Sequence, residues 1–163
     1  MQELVTYLEM TSPDDLNPAT VLPTIALVPA TGPQTRALTL RIGTQYNWDS
    51  AAFTDAQWSD YLARTDSWMI TSNDQPAGLA DYEVTGDTVE VTTFGLVPEF
   101  VGKGIGAHAL TLTLQRAWTL TPTISRVWLH TSTQDHPNAL PNYRKRGLRP
   151  FKTKPGISLP PAS

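Results

Sequence analysis

Three glycines at alternate positions, Gly102, Gly104 and Gly106, lie between a segment rich in Val, Thr and Phe and a run with helical apolar spacing. Glycine lets backbone N–H groups converge on a concavity, and a helix start adds unpaired N–H groups with partial positive charge. The combination is a receptor for an anion, most often a phosphate, although an ordinary tight connection would carry the same glycines. A P-loop needs Ser or Thr after Gly-Lys, and here Gly104 follows Lys103. A dinucleotide fingerprint nearly fits Gly102, Gly104 and Ala107. It belongs in a first βαβ unit, however, with an acidic residue about 20 positions on. The glycines fall past the middle of the chain, and Asp135 comes too late.

A second feature is a pair of carboxylates. If Gly86-Asp87 is a two-residue hairpin loop, Thr85 faces Thr88 and Glu83 faces Glu90. Like charges side by side are normally avoided. Such a pair raises the pKa of one member and could hold a proton-accepting water. Asp81 lies two residues before Glu83 on the same strand.

The elements that must position these groups follow from periodicity and turn chemistry. Thr88 to Val97 reads as a strand ended by Pro98; Ala107, Leu110, Leu114, Ala117 and Trp118 mark one face of the next helix. Thr121-Pro122 closes that helix, and Arg126 to Thr133 alternates as a strand. A helix from Pro137 to about Arg146 follows, with Asp135 or His136 as its cap and Gly147 past its end. Leu148 to Thr153 is a last strand, and the tail from Pro155 a loop or frayed end. Upstream, Leu4 to Met10 is a strand. Prolines at 13, 18, 23, 29 and 33 forbid a long helix, so short turns and irregular chain are expected there, with one turn at Pro13 to Leu16. Arg36 to Ile42 is helix or strand. Tyr46 and Trp48 fall in a loop, and Thr54 caps a helix ending near Arg64 with Trp58, Tyr61 and Leu62 on its apolar stripe. Trp68 to Thr71 and Leu79 to Val84 are strands joined through a turn at Asn73 to Pro76.

The stretch VEVTTFGLVPEFVGKGIGAHAL resembles the coenzyme A-binding segment of the GNAT N-acetyltransferases, whose pattern is Gln or Arg, two residues, Gly, one residue, then Gly or Ala. Gly104 and Gly106 match the small positions, and Val101 stands where Gln or Arg is usual. HPNALPNYRKRGLRPF is similar to the family's second signature: Ala139, Tyr143, Gly147 and Leu148 match, and His136 replaces Asn. The resemblance covers Thr88 to Lys152. It implies one α/β (α+β) GNAT domain over residues 1–163, with a mixed, mostly antiparallel sheet flanked by helices.

The resemblance also implies a reaction, transfer of an acetyl group from acetyl-CoA to a primary amine by direct attack. It places Leu96 and Val97 along the pantetheine arm, and Val101, Gly102, Lys103, Gly104, Ile105, Gly106 and Ala107 around the pyrophosphate. His136 and Ala139 stand beside CoA. Glu90, fourteen residues before Gly104, takes the place of the general base of histone-acetylating members, with Asp81 in reserve. A free glutamate needs burial or a like charge to approach the required pKa. Tyr143 takes the place of the tyrosine near the CoA sulfur, and a phenol stays protonated at neutral pH and can donate to a thiolate. Tyr46, Trp48 and Tyr82 are expected to pack on the acceptor amine, with Asp81 or Glu83 holding its charge. A protein or peptide acceptor and a non-catalytic CoA-binding sensor are the rival readings. Family members are often dimers, so a homodimer stays open.

Composition agrees with a soluble enzyme of cytoplasmic type. The 163 residues carry 40% hydrophobic side chains and a formal charge of −3, which argues against a broad grip on nucleic acid. There is no cysteine, which excludes disulfides, thiolate metal sites and a cysteine nucleophile. The N-terminal MQELVTYLEM has acidic residues and no apolar core segment, unlike a secretory signal. No membrane span is expected. His130, Asp135 and His136 form no HExxH pattern, so no metal is expected.

Overall fold

A computed structural model of the chain describes residues 3–156. The elements in order are β1 (Leu4–Met10), β2 (Ile25–Pro29), α1 (Gly32–Gly43), α2 (Asp55–Ala63), β3 (Asp66–Ser72), β4 (Gln75–Thr85), β5 (Thr88–Leu96), α3 (Gly106–Thr119), β6 (Arg126–Ser132), α4 (Ala139–Lys145) and β7 (Arg149–Pro155). Among the described residues the strands form one seven-stranded sheet in the order β2-β3-β4-β5-β6-β1-β7. The pairings are antiparallel except β5 with β6. This is the mixed, mostly antiparallel α/β architecture expected.

Two irregularities prepare the site. The parallel ladder covers only Thr88–Glu90 against Arg126–Trp128, after which β5 and β6 part. Beside the split, the β4–β5 register shifts: Asp81 faces Thr93, whereas Tyr82 faces Val91. Thr92 is therefore an extra residue on β5, a bulge that bends the strand and redirects side chains.

One core holds the sheet to α3. Leu110, Leu114 and Ala117 on α3 pack with Leu8, Met10, Tyr82, Val89, Val127 and Leu129, all 0–1% exposed. Full burial of each large side chain contributes about 1.5–3 kcal/mol. The helix-spaced and alternating residues of the sequence are the ones buried here.

Short-range expectations hold closely. β1 has the bounds expected, and the Gly86-Asp87 loop sets Thr85 against Thr88 and Glu83 against Glu90. Thr54 caps α2 by a reciprocal box with Gln57. A 3-10 turn forms at Pro13–Asp15. Gly147 follows α4 with φ +107, and a Cβ there would lie 1.9 Å from the Asp15 carbonyl oxygen, so both conformation and space demand glycine.

Other expectations are corrected. Ile25–Pro29 is not irregular chain but an edge strand, where the terminal Pro29 is tolerated. Arg36 to Ile42 is helix, because Thr31 and Gln34 form a capping box and proline occupies the first turn. α4 starts at Ala139 behind Asn138, which makes no side-chain cap bond. Of the two expected caps, His136 accepts the Asn138 N–H at its Nδ1 at 3.0 Å, whereas the Asp135 carboxylate accepts from the Ser132 N–H and Thr131 hydroxyl at the end of β6. The expected loose tail starts at Pro155, which instead ends β7 opposite Leu4; from residue 157 on it lies outside the described residues.

Candidate active site

The parting of β5 and β6 opens two cavities that share a wall. The first, about 510 Å³, runs from Leu96 through Val101, Gly102, Gly104, Gly106 and Ala107 to His136, Ala139, Asn142, Lys145 and Arg146 of the α4 side. The second, about 550 Å³, is walled by Tyr46, Trp48, Phe53 and Tyr61 on one side, Thr92 and Thr93 on β5, and Leu129 and His130 on β6. Tyr46, Trp48, Phe94, Asp135 and Tyr143 border both.

The first cavity has the chemistry of an anion site. Gly102 and Gly104 hold φ of +78 and +77, a conformation that costs other residues about 1–2 kcal/mol. α3 begins with no side-chain cap, so its first N–H groups face the cavity end without a capping partner. The Asn142 amide donates to the Gly106 carbonyl oxygen at 3.2 Å and ties α4 to this turn. Arg146 brings a guanidinium whose Nε is buried without a protein partner, the kind of donor a bound anion would satisfy.

Several residues expected here stand elsewhere. Lys103 is exposed and lines neither cavity; Lys145 and Arg146 supply the charge instead. Ile105 is buried in a core cluster with Ala109 and Ile70. Val97 is fully buried, its N–H donates to the Ala77 carbonyl oxygen and its own carbonyl accepts from Phe100. Its N–H is therefore taken and it lines neither cavity, whereas Leu96 borders the first.

The shared wall is held by Asp135, which accepts from Trp48 Nε1 at 2.9 Å and the Thr131 hydroxyl at 2.7 Å. The Tyr46 ring lies 6.2 Å from Trp48 and 6.4 Å from His136. Tyr143 is 6% exposed, with the Phe94 ring 6.3 Å away. Burial, followed by the Asp135 charge, pushes its phenol well above the usual value, so it is protonated. Its hydroxyl donates to no acceptor among the described residues, and the residue borders both cavities.

The expected base does not reach them. Glu90 stands where the β5–β6 ladder is still closed, opposite Glu83 and beside Trp128, and lines neither cavity. Its pKa is raised, first by burial, then by Glu83, against a smaller opposing effect of Arg64. Glu83 pairs with Arg64 at 3.5 Å and also stands off the cavities. Tyr82 is a core residue that donates to the Thr113 carbonyl oxygen at 2.6 Å. Asp81 is fully buried behind Tyr61, whose hydroxyl donates to it at 2.6 Å.

The acceptor-side wall thus includes residues that sequence reasoning passed over. Tyr61 sits on the apolar stripe of α2, but a buried tyrosine hydroxyl demands a partner, and Asp81 inside the apolar run Leu79–Tyr82 demands one too. His130 stands exposed at the rim, 5.5 Å from the Tyr7 ring, and partial desolvation holds its pKa below the ordinary histidine value. Among the described residues no group of three or more His, Asp or Glu could hold a metal ion. No described helix is long and apolar enough to cross a membrane.

Comparison with known proteins places this geometry. The model of the acetyltransferase (GNAT) family matches residues 35–148. The fold is similar to a GCN5-related N-acetyltransferase from Kribbella flavida, with TM-score 0.66 and 20% identity over 93% of this chain and 58% of that one. It is also similar to a GCN5-related N-acetyltransferase from Sphaerobacter thermophilus, with TM-score 0.65 and 13% identity over 97% of this chain and 54% of that one. A tandem GNAT protein from the clavulanic acid biosynthesis pathway matches with TM-score 0.62 and 15% identity, over 96% and 55% of the two chains. This chain therefore spans between half and three fifths of the length of these structures. No curated protein sequence matches it. With the family model matched over most of the length and both signatures lining one cavity, the chain belongs to the GNAT acetyltransferase family.

Proposed function

We propose that this chain forms one catalytic domain that transfers an acetyl group from acetyl-CoA to the primary amine of a small molecule. The observation that carries the reading is the position of Tyr143, its phenol protonated and without a protein acceptor, on the wall between a glycine-rich cavity and an aromatic one.

The diphosphate of the donor sits against the Gly102–Ala107 turn and the first N–H groups of α3, with Arg146 and Lys145 beside it. The thioester then points at the shared wall. The amine enters between Tyr46, Trp48 and Phe53 on one side and His130 on the other. It arrives as an ammonium, and the His130 imidazole, which is neutral at pH 7 because its pKa lies below the usual value, takes one proton from it. The freed nitrogen lone pair attacks the thioester carbonyl carbon and a new C–N bond forms. The C–S bond breaks, the leaving thiolate takes the Tyr143 proton, and the second proton that the nitrogen sheds on becoming an amide returns to the phenolate. Glu90 stands outside the cavities and would need a relay of water to act as the base.

The volume of about 550 Å³ and the walls on several sides suit a small organic amine better than a polypeptide. The test is calorimetric titration with CoA, followed by thiol release from acetyl-CoA with small amines and with peptides bearing a free N-terminus. CoA binding with turnover of small amines supports the reading. Turnover of peptides alone moves the acceptor class, CoA binding without any turnover leaves a sensor, and no CoA binding removes the reading.

A further inference from the structure

Consecutive residues of a regular strand point to opposite faces of the sheet. Thr92 and Thr93 break this rule because of the bulge in β5, and both hydroxyls reach the same atom, the Tyr61 phenol oxygen, at 2.9 and 3.0 Å. Tyr61 belongs to α2 and is 7% exposed. The same phenol approaches Asp81 Oδ2 at 2.6 Å. Asp81 is 0% exposed, and its other oxygen, Oδ1, is buried without a partner. A carboxylate held this way is expensive to bury, since unsatisfied charged groups lose their hydration.

Counting protons fixes the direction of each bond. An ionised Asp81 can only accept, so the single Tyr61 proton goes to it. The phenol oxygen then has lone pairs alone to offer, so the Thr92 hydroxyl donates its single proton to it. The Thr93 hydroxyl lies between that oxygen and the Asp81 carboxylate, and whichever of the two takes its proton, its oxygen is left with lone pairs. What remains on both oxygens is acceptor capacity, on a wall of the aromatic cavity. That wall includes no lysine or arginine.

We propose that Asp81, acting through Tyr61, is a positioning group that turns the Thr92 and Thr93 hydroxyls into a paired acceptor for the N–H groups of a cationic amine. This deepens the acyl-transfer reading and rests on it for the identity of the cavity as the acceptor site. The site selects an ammonium over a neutral molecule of the same shape, because an alcohol supplies one N–H-like donor at most and carries no charge.

The test uses 2-phenylethylammonium and the neutral 2-phenylethanol as probes, with CoA present, read through the methyl resonances of residues 92 and 93, threonine or valine. The ammonium should shift both methyls saturably in the wild-type chain. Tyr61→Phe frees the threonine protons and should weaken ammonium binding about tenfold or more, the loss of at least one hydrogen bond to a charged group. The double variant Thr92→Val/Thr93→Val should weaken it at least as much, and adding Tyr61→Phe to it should do nothing further. Asp81→Asn should weaken ammonium binding with little effect on the alcohol. CoA affinity by calorimetry should stay at the wild-type value in all of them, which shows that the fold is intact. Wild-type ammonium binding in Tyr61→Phe, additive losses in the combined variant, or equal losses for the alcohol would overturn the proposal. Thiol release separates the two readings: binding that follows this pattern without turnover by any amine sinks the transferase reading alone, while turnover with an unaffected Tyr61→Phe sinks this inference alone.

Discussion

Trp48 Nε1 donates to Asp135 Oδ1 at 2.9 Å, a bond between the loop after α1 and the loop after β6. Both residues border both cavities, so this one contact sets the wall that divides the two. Hydrogen bonds to a charged group contribute about 1.5–3 kcal/mol. Trp48→Phe keeps the ring and removes the donor. It should raise KM for both substrates together, by about tenfold, with a smaller change in kcat. Steady-state kinetics with each substrate varied in turn would check this, and a change confined to one KM would show that the wall is not shared.

Tyr143 holds a proton that burial keeps in place. Removing a positioned general acid lowers rates by about 100-fold or more. Tyr143→Phe should therefore lower kcat by that order and leave CoA affinity unchanged, as read by single-turnover kinetics and calorimetry. An unchanged kcat would make the tyrosine a packing residue.

The anion cradle depends on backbone shape. Gly104→Ala places a Cβ in open space but at φ +77, so the loss is conformational and of about 1–2 kcal/mol. CoA should bind about tenfold more weakly. Arg146→Gln should also weaken CoA, and should flatten the dependence of its affinity on salt. Affinities for CoA and for pantetheine, which lacks the diphosphate, check both: each variant should weaken CoA and spare pantetheine, and only Arg146→Gln should change the salt dependence.

Glu90 has a raised pKa, owing first to burial and then to Glu83. An acid raised in the fold favours its protonated form there. That stabilisation is complete below the ordinary value of 4.5 and is lost as pH climbs through the raised value. Glu90→Gln stays neutral throughout. Its Tm advantage over wild type should be small below about pH 4 and reach its full size by about pH 7. Thermal melts across this range measure it. Because Glu90 lines neither cavity, kcat/KM should stay near wild type, and a large loss would return it to the reaction.

The parts of this protein readable in its residue order are those made by near neighbours. The Gly86-Asp87 loop sets its own register, Thr54 finds Gln57 three residues on, and Gly102 and Gly104 announce their backbone angles, all because the interacting groups are a few bonds apart. The GNAT signatures are legible for the same reason. The strand order, with β1 between β6 and β7, is not local and no periodicity encodes it. Nor does any pattern say where β5 and β6 part, and that point alone decides that Glu90 is outside the site while Thr92, Thr93 and His130 are within it. Tyr61 and Asp81, or Trp48 and Asp135, meet only once the sheet is assembled, because a hydrogen bond between residues 20 or 87 positions apart is fixed by packing and not by sequence spacing.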